Sequence, residues 1–212
     1  MSTASWRRCV RRYDEKQTRG QAMNAMTQPK LTLEAYLAWE NEQTEKHEFH
    51  RGKVFAMVGA RRVHGRVVAN LSAELAVRLK GSPCQVFHEG MKVQIGEDTV
   101  LYPDVFVTCD KADLATDRIF TAPKLVVEVL SPATQAYDRS QKFALYRRIS
   151  SLHQYILVDP ETRRVEGFSR HADDQWVLHD MSDEGPLVVP SLGLSVPLAD
   201  LFAGIDPPPE AG

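Results

Sequence analysis

The sequence predicts an α/β protein, a mixed sheet flanked by helices, and three observations carry that expectation. Leu125-Val126-Val127-Glu128-Val129-Leu130 is aliphatic at five of its six positions. Apolar residues on both parities mark a strand buried on both faces, as in the middle of an α/β sheet. Val67, Val68, Leu71, Leu75 and Leu79 instead form one helical stripe. Finally, the patterns follow the order helix, hairpin, helix, strands, helix, strand, hairpin, which suits a mixed sheet with helices packed on it.

Thr32 can cap a first helix carrying Leu33, Tyr36 and Leu37. His47 to His50 and Lys53 to Met57 read as a hairpin about Arg51-Gly52. Glu48 lies on the opposite strand face from Phe49, and on spacing alone it reads as solvent-facing. The second helix runs from His64 to Leu79 and is stopped by Gly81-Ser82-Pro83. Cys84 to His88 and Met91 to Ile95 read as strands, with a bulge or bend at Glu89-Gly90. Val100 to Cys109 is an apolar stretch broken by Pro103, which lacks an N–H, and by Asp104. An irregular charged connection, 110–122, leads into the strand that carries Glu128. Residues 138–149 form an amphipathic helix with Asp138 as a plausible cap. Gln154 to Val158 is another apolar strand. Arg164 to Ser169 and Gln175 to Met181 alternate like an exposed antiparallel pair, and Leu198 to Phe202 closes the chain as a short helix.

With 212 residues the chain is long enough for one domain with a real core, read as 29–205, between a disordered basic leader at 1–28 and a Pro-rich tail at 206–212. The formal net charge of -2 excludes a globally basic nucleic-acid binder and leaves only local patches for such contacts. No apolar run approaches membrane-spanning length, so no membrane partner is expected. Three cysteines without paired metal spacing suit a reducing cytoplasm and argue against a disulfide framework.

Glu128 is the residue that needs explaining. A carboxylate in a buried strand is costly unless its charge is compensated. A bound cation does that, and so does a nearby arginine or the solvated strand end at Ser131-Pro132. Asp104 lies 24 positions earlier, also in an apolar stretch. If the two strands are neighbours, the carboxylates can meet at one end of the sheet, an oxygen-only pair suited to Mg²⁺ or Mn²⁺.

Pro103-Asp104 followed by Glu128 resembles the PD-(D/E)xK signature of the restriction-endonuclease-like superfamily. The likeness is closer to its bacterial family of Uma type, through Glu48-Phe49-His50-Arg51-Gly52-Lys53-Val54, His64, Tyr102-Pro103-Asp104, Val127 to Pro132, Asp138, Lys142, Tyr146 and Tyr155 to Pro160. It covers roughly Leu31 to Phe202. The resemblance implies a restriction-endonuclease-like fold, a nucleic-acid substrate, DNA first, and a homodimer, because cutting a duplex needs two cuts. It implies that Asp104 and Glu128 hold the metal, with the carbonyl of Val129, and that Glu48 is an outer acidic residue.

One departure matters. The superfamily lysine stands two residues after the strand acid, and here that position is Leu130. Lys124 shares the parity of Glu128, but four strand residues span roughly 13 Å. Lys92 lies on a neighbouring strand and stays open as an alternative. Lys142, one helical turn after Asp138, is the choice that the resemblance favours. The expected function is a Mg²⁺- or Mn²⁺-dependent endonuclease with Glu48, Asp104, Glu128 and Lys142 as its catalytic residues. The alternative, favoured by Leu130, is a catalytically silent nucleic-acid or protein binding module of the same fold.

Overall fold

The computed structural model describes residues 30–57, 59–182 and 185–205. The expectations for the basic leader and the Pro-rich tail lie outside these residues. Helix α1 (Leu33–Glu40) starts as expected: Thr32 is extended and its hydroxyl accepts the N–H of Ala35 at 3.2 Å. Strands β1 (His47–His50) and β2 (Lys53–Ala56) form the hairpin. Its turn places Arg51 and Gly52 at φ 48° and 84°, the conformation a two-residue hairpin loop requires. Helix α2 (Arg62–Arg78) buries Val67, Val68, Leu71 and Leu75, each contributing ~1.5–3 kcal/mol of apolar burial.

Of the next four strands, β3 (Gln85–His88) and β6 (Val105–Thr108) belong to one sheet, and β4 (Lys92–Ile95) and β5 (Thr99–Leu101), between them in the chain, belong to another. Strands β7 (Ile119–Phe120) and β8 (Pro123–Val129) follow. The helical segment after β8 has three parts: α3 (Gln135–Tyr137), a π turn (Asp138–Lys142) and α4 (Phe143–Tyr146). Strands β9 (Gln154–Asp159), β10 (Arg164–Arg170) and β11 (Trp176–Asp180) are followed by β12 (Pro186–Val189), β13 (Leu194–Pro197) and α5 (Leu198–Leu201).

Among the described residues the strands form a six-stranded sheet, β11-β10-β9-β8-β6-β3, a five-stranded sheet, β2-β1-β5-β4-β7, and the hairpin β12-β13. The six-stranded sheet is mixed, with β8 parallel to β9 and antiparallel to β6. It is the layered α/β arrangement that the sequence predicts. Strand β8 is central and its apolar residues face both ways. Leu125, Val127 and Val129 join α2, β12-β13 and α5 in one core cluster. Val126 and Leu130 join Tyr146, Tyr155 and the five-stranded sheet in another.

Three expectations change here. Val100 to Cys109 is two strands in different sheets, and the change of sheet falls at Tyr102-Pro103-Asp104. Asp138 does not cap a helix, which has already begun at Gln135. The two cysteines among the described residues do pair: Cys84 and Cys109 form a disulfide, with Cα atoms 4.0 Å apart. The pairing of Gln85 with Thr108 in β3 and β6 places the two cysteines opposite each other, and spacing in the sequence shows nothing of that register.

Candidate active site

Asp104 and Glu128 come together through strand pairing. Val105 is opposite Val127 in the β6-β8 ladder, so Asp104 continues the register toward Glu128. Asp104 Oδ2 accepts the N–H of Val129 at 2.7 Å and meets His64 Nε2 at 3.1 Å. The break at Pro103 frees Asp104 from a regular ladder, and its carboxylate replaces a carbonyl as the acceptor of that strand N–H.

Glu128 is 2% exposed. Its Oε1 accepts a hydrogen bond from the Tyr146 hydroxyl at 3.0 Å and lies 3.0 Å from Lys142 Nζ. Lys142 Nζ is also 3.2 Å from Glu48 Oε1 and 3.8 Å from Asp138 Oδ1. Glu48 arrives from the other sheet: β1 turns it away from the Phe49 side and buries it, where the Tyr102 N–H donates to its Oε1 at 3.3 Å. The solvent-facing reading of Glu48 is therefore wrong. Parity excludes it from the Phe49 face but does not say that a helix covers the other one. Lys92 is not at this cluster; it lies over the Tyr102 ring and reaches Asn41. Leu130, the usual lysine position, is buried in the apolar cluster.

The π turn positions the lysine. Asp138 and Lys142 are buried, while Arg139, Ser140 and Gln141 between them are exposed. Such turns widen a helix locally and recur at functional sites. The Tyr155 hydroxyl donates to the carbonyl of Asp138 at 2.9 Å, tying the turn to β9.

Charge dominates the electrostatics. Glu48, Asp104, Glu128 and Asp138 face one ammonium and one imidazole. Burial raises the pKa of Glu128 well above the ordinary value; Lys142 opposes this, while Asp104, Asp138 and Glu48 reinforce it. Asp138 is raised by burial against the same lysine. Burial would lower Lys142, but Glu128, Glu48, Asp138 and Asp104 outweigh it and hold the ammonium charged. Burial would also lower His64, yet its hydrogen bond to Asp104 and the surrounding carboxylates raise it. His64 Nδ1 is buried without a hydrogen-bond partner.

Among the described residues no group of three His, Cys, Asp or Glu side chains is arranged to hold a metal ion. Two carboxylates with water and substrate oxygens are the usual Mg²⁺ set. The hydrogen bonds to Asp104 fall on Oδ2 and those to Glu128 on Oε1, which leaves each a second oxygen outside them. The donor set and the excess negative charge fit a hard divalent cation.

The sequence profile of the Uma2 family, described as "Putative restriction endonuclease", matches residues 33–199. The chain belongs to the Uma2 family. Two relatives come from Synechocystis sp. Uncharacterized protein slr1290 is 36% identical over 178 residues, 84% of this chain and 94% of its own length. Uncharacterized protein sll1609 is 34% identical over 157 residues, 73% and 89% respectively. A crystal structure of "a putative nuclease belonging to DUF820" from Anabaena variabilis superposes with a TM-score of 0.68 and 20% identity, over 81% of this chain and 97% of that one. At that identity the likeness is one of fold. Among the described residues of this Uma2 chain no helix is long and apolar enough to cross a membrane.

Two neighbours of the cluster were not among the expected site residues. Asp138 belongs to the carboxylate cluster, and its i, i+4 spacing to Lys142 is the signal that could have placed it there. Tyr137 carries no such signal. Burial, Glu48 and Asp138 push its phenol up to about 12, so its hydroxyl stands within the field of the cluster.

Proposed function

We propose that this chain is a divalent-metal-dependent phosphodiesterase, specifically a DNA endonuclease of the PD-(D/E)xK type whose lysine comes from the helix after the acidic strand. The observation that carries the reading is the buried Lys142 ammonium, 3.0 Å from Glu128 and 3.2 Å from Glu48, beside a strand-clasped Asp104.

Asp104 and Glu128, with the main-chain carbonyl of Val129, would hold Mg²⁺ or Mn²⁺. When bound, the metal supplies Lewis-acid stabilisation of the scissile phosphate and a lowered pKa for water. The chain's own groups do the rest. Val129 N–H and His64 fix the Asp104 carboxylate. Tyr146 and Lys142 fix that of Glu128. Lys142 offers positive charge where negative charge develops in the transition state. Glu48 holds the ammonium from the opposite sheet and can orient a water beside it.

The test is nicking of supercoiled plasmid with Mg²⁺ or Mn²⁺ by the wild type and by Asp104→Asn, which keeps an acceptor for Val129 N–H. The wild type should nick and the variant should lose roughly 10²-fold or more. A metal-binding calorimetric trace that is the same for wild type and Asp104→Asn, together with intact plasmid in both, would overturn the reading in favour of a binding module.

A further inference from the structure

Near the acidic strand residue Glu48 stands a second buried carboxylate that the proposed chemistry does not use. Glu40, the last residue of α1, is 5% exposed. Its Oε1 accepts the N–H of His47 at 2.8 Å and the Tyr102 hydroxyl at 2.7 Å. Its Oε2 meets His47 Nδ1 at 3.1 Å. His47 is covalently next to Glu48, and the N–H of Tyr102 donates to Glu48 Oε1. The contacts therefore close a ring: Glu40 to His47, along the chain to Glu48, across to Tyr102, and through its phenol back to Glu40.

The ring spans the two places where the site could come apart. Glu48 is on the five-stranded sheet, and Asp104 follows Tyr102 by two residues at the passage into the six-stranded sheet. Tyr102 is thus gripped at both ends, its amide by Glu48 and its hydroxyl by Glu40. The surroundings make the grip stiff. Tyr36 donates its hydroxyl to the carbonyl of His47, and its ring stacks on Phe49 at 4.8 Å. Lys92 lies 5.7 Å from the centre of the Tyr102 ring. A carboxylate buried merely to end α1 would need one donor, whereas Glu40 collects three, all from the two segments that carry the site acids.

We propose that Glu40 is a positioning residue for the phosphodiesterase site, acting through Tyr102 and His47 to fix the separation of Glu48 from Asp104. The inference rests on the functional reading above. A shift of the outer acid by a fraction of an ångström would leave substrate binding nearly intact and lower the chemical rate.

The experiment compares Glu40→Ala, Glu40→Gln and Tyr102→Phe with Leu37→Ala, which loosens the packing of α1 but leaves the ring closed. Plasmid nicking should show kcat down by about tenfold or more in Glu40→Ala and Tyr102→Phe with KM changed by less than about threefold. Glu40→Gln, whose amide oxygen can still accept from His47 and Tyr102, should recover most of that loss. Leu37→Ala should lower Tm and keep kcat. Losses that follow Tm alone across all four variants would overturn the proposal. Should Glu40→Ala fail to fold, Tyr102→Phe removes a single hydroxyl and keeps the test. An amide spectrum gives a readout independent of cleavage. The residue-102 N–H resonance in Glu40→Ala and Tyr102→Phe should move toward its position in Glu48→Gln, while in Glu40→Gln it should stay near its wild-type position. A resonance unmoved in both Glu40→Ala and Tyr102→Phe overturns the positioning role even if the wild type cuts DNA. A moved resonance in an inactive wild type overturns only the nuclease reading.

Discussion

Lys142 and Glu128 are 14 positions apart, on a π turn and on the central strand, and their Nζ and Oε1 atoms meet at 3.0 Å in the interior. The same ammonium reaches Glu48 of the other sheet, so one cation joins two sheets and a helix. Lys142→Met should therefore cost both stability and rate. Removing one partner of a buried pair costs ~3–5 kcal/mol, less whatever Glu128 recovers by taking up a proton. Nicking should fall by roughly 10²–10³-fold. Denaturant melts and plasmid assays at neutral pH check this, and a variant as stable as wild type would show that the pair does not hold the sheets together.

The pH dependence of stability should run against the usual acid sensitivity. Glu128 and Asp138 have raised folded-state values, so the folded chain binds their protons more tightly than the unfolded one. Their contribution is complete below the ordinary carboxylate values of 4.5 and 3.8 and is lost as pH climbs through the raised ones. His64 acts in the same sense, complete below 6.5 and lost above it. Unfolding free energy should thus decline from mildly acidic toward alkaline pH, and Glu128→Gln should flatten the decline. Mg²⁺ should restore more stability at alkaline than at acidic pH. Melts across that range with and without Mg²⁺ decide; stability that climbs with pH in both conditions contradicts the charge arrangement.

Tyr146 is fully buried and gives its hydroxyl to Glu128. Burial, then the charges of Glu128 and Glu48, keep the phenol protonated. Tyr146→Phe leaves Glu128 with one donor fewer, at a cost of ~1.5–3 kcal/mol for a hydrogen bond to a charged group. Thermal melts should show the loss without a change in secondary structure. No loss would mean that the phenol is a packing residue only.

The Cys84–Cys109 disulfide clamps the edge strand β3 onto β6, whose other end leads to Asp104. Closing a loop of 25 positions stabilises by ~3 kcal/mol in the chain-entropy picture. Reductant should lower Tm, and Cys84→Ser should reproduce the lowered value and be insensitive to reductant. Thiol counting by mass spectrometry before and after reduction is the direct check.

How much of this was legible in the sequence depends on whether the responsible forces are local. The stripe Val67 to Leu79 and the alternation in β10 and β11 are one-dimensional signals, and the elements stand where those signals put them. The hairpin β12-β13 is not legible in the sequence, because Pro186, Pro190 and Gly193 interrupt any period long enough to read. Asp138 reads as a cap because Asp at a helix start usually is one; the helix starts three residues earlier, at Gln135, and burial turns the carboxylate inward instead.

The sequence by itself determined the layered α/β class, the central strand with its costly Glu128, the partner Asp104 and, through the family resemblance, Lys142. The first three follow from composition and spacing along the chain, and Lys142 from the resemblance alone. Only the tertiary structure decided that Tyr102-Pro103-Asp104 passes between two sheets, that Glu48 is buried against Lys142, that Cys84 meets Cys109, and that Glu40 closes a ring behind the site. Each of these depends on which surfaces pack together, and a buried charge takes its identity from the partner that desolvates with it, which no spacing along the chain can state.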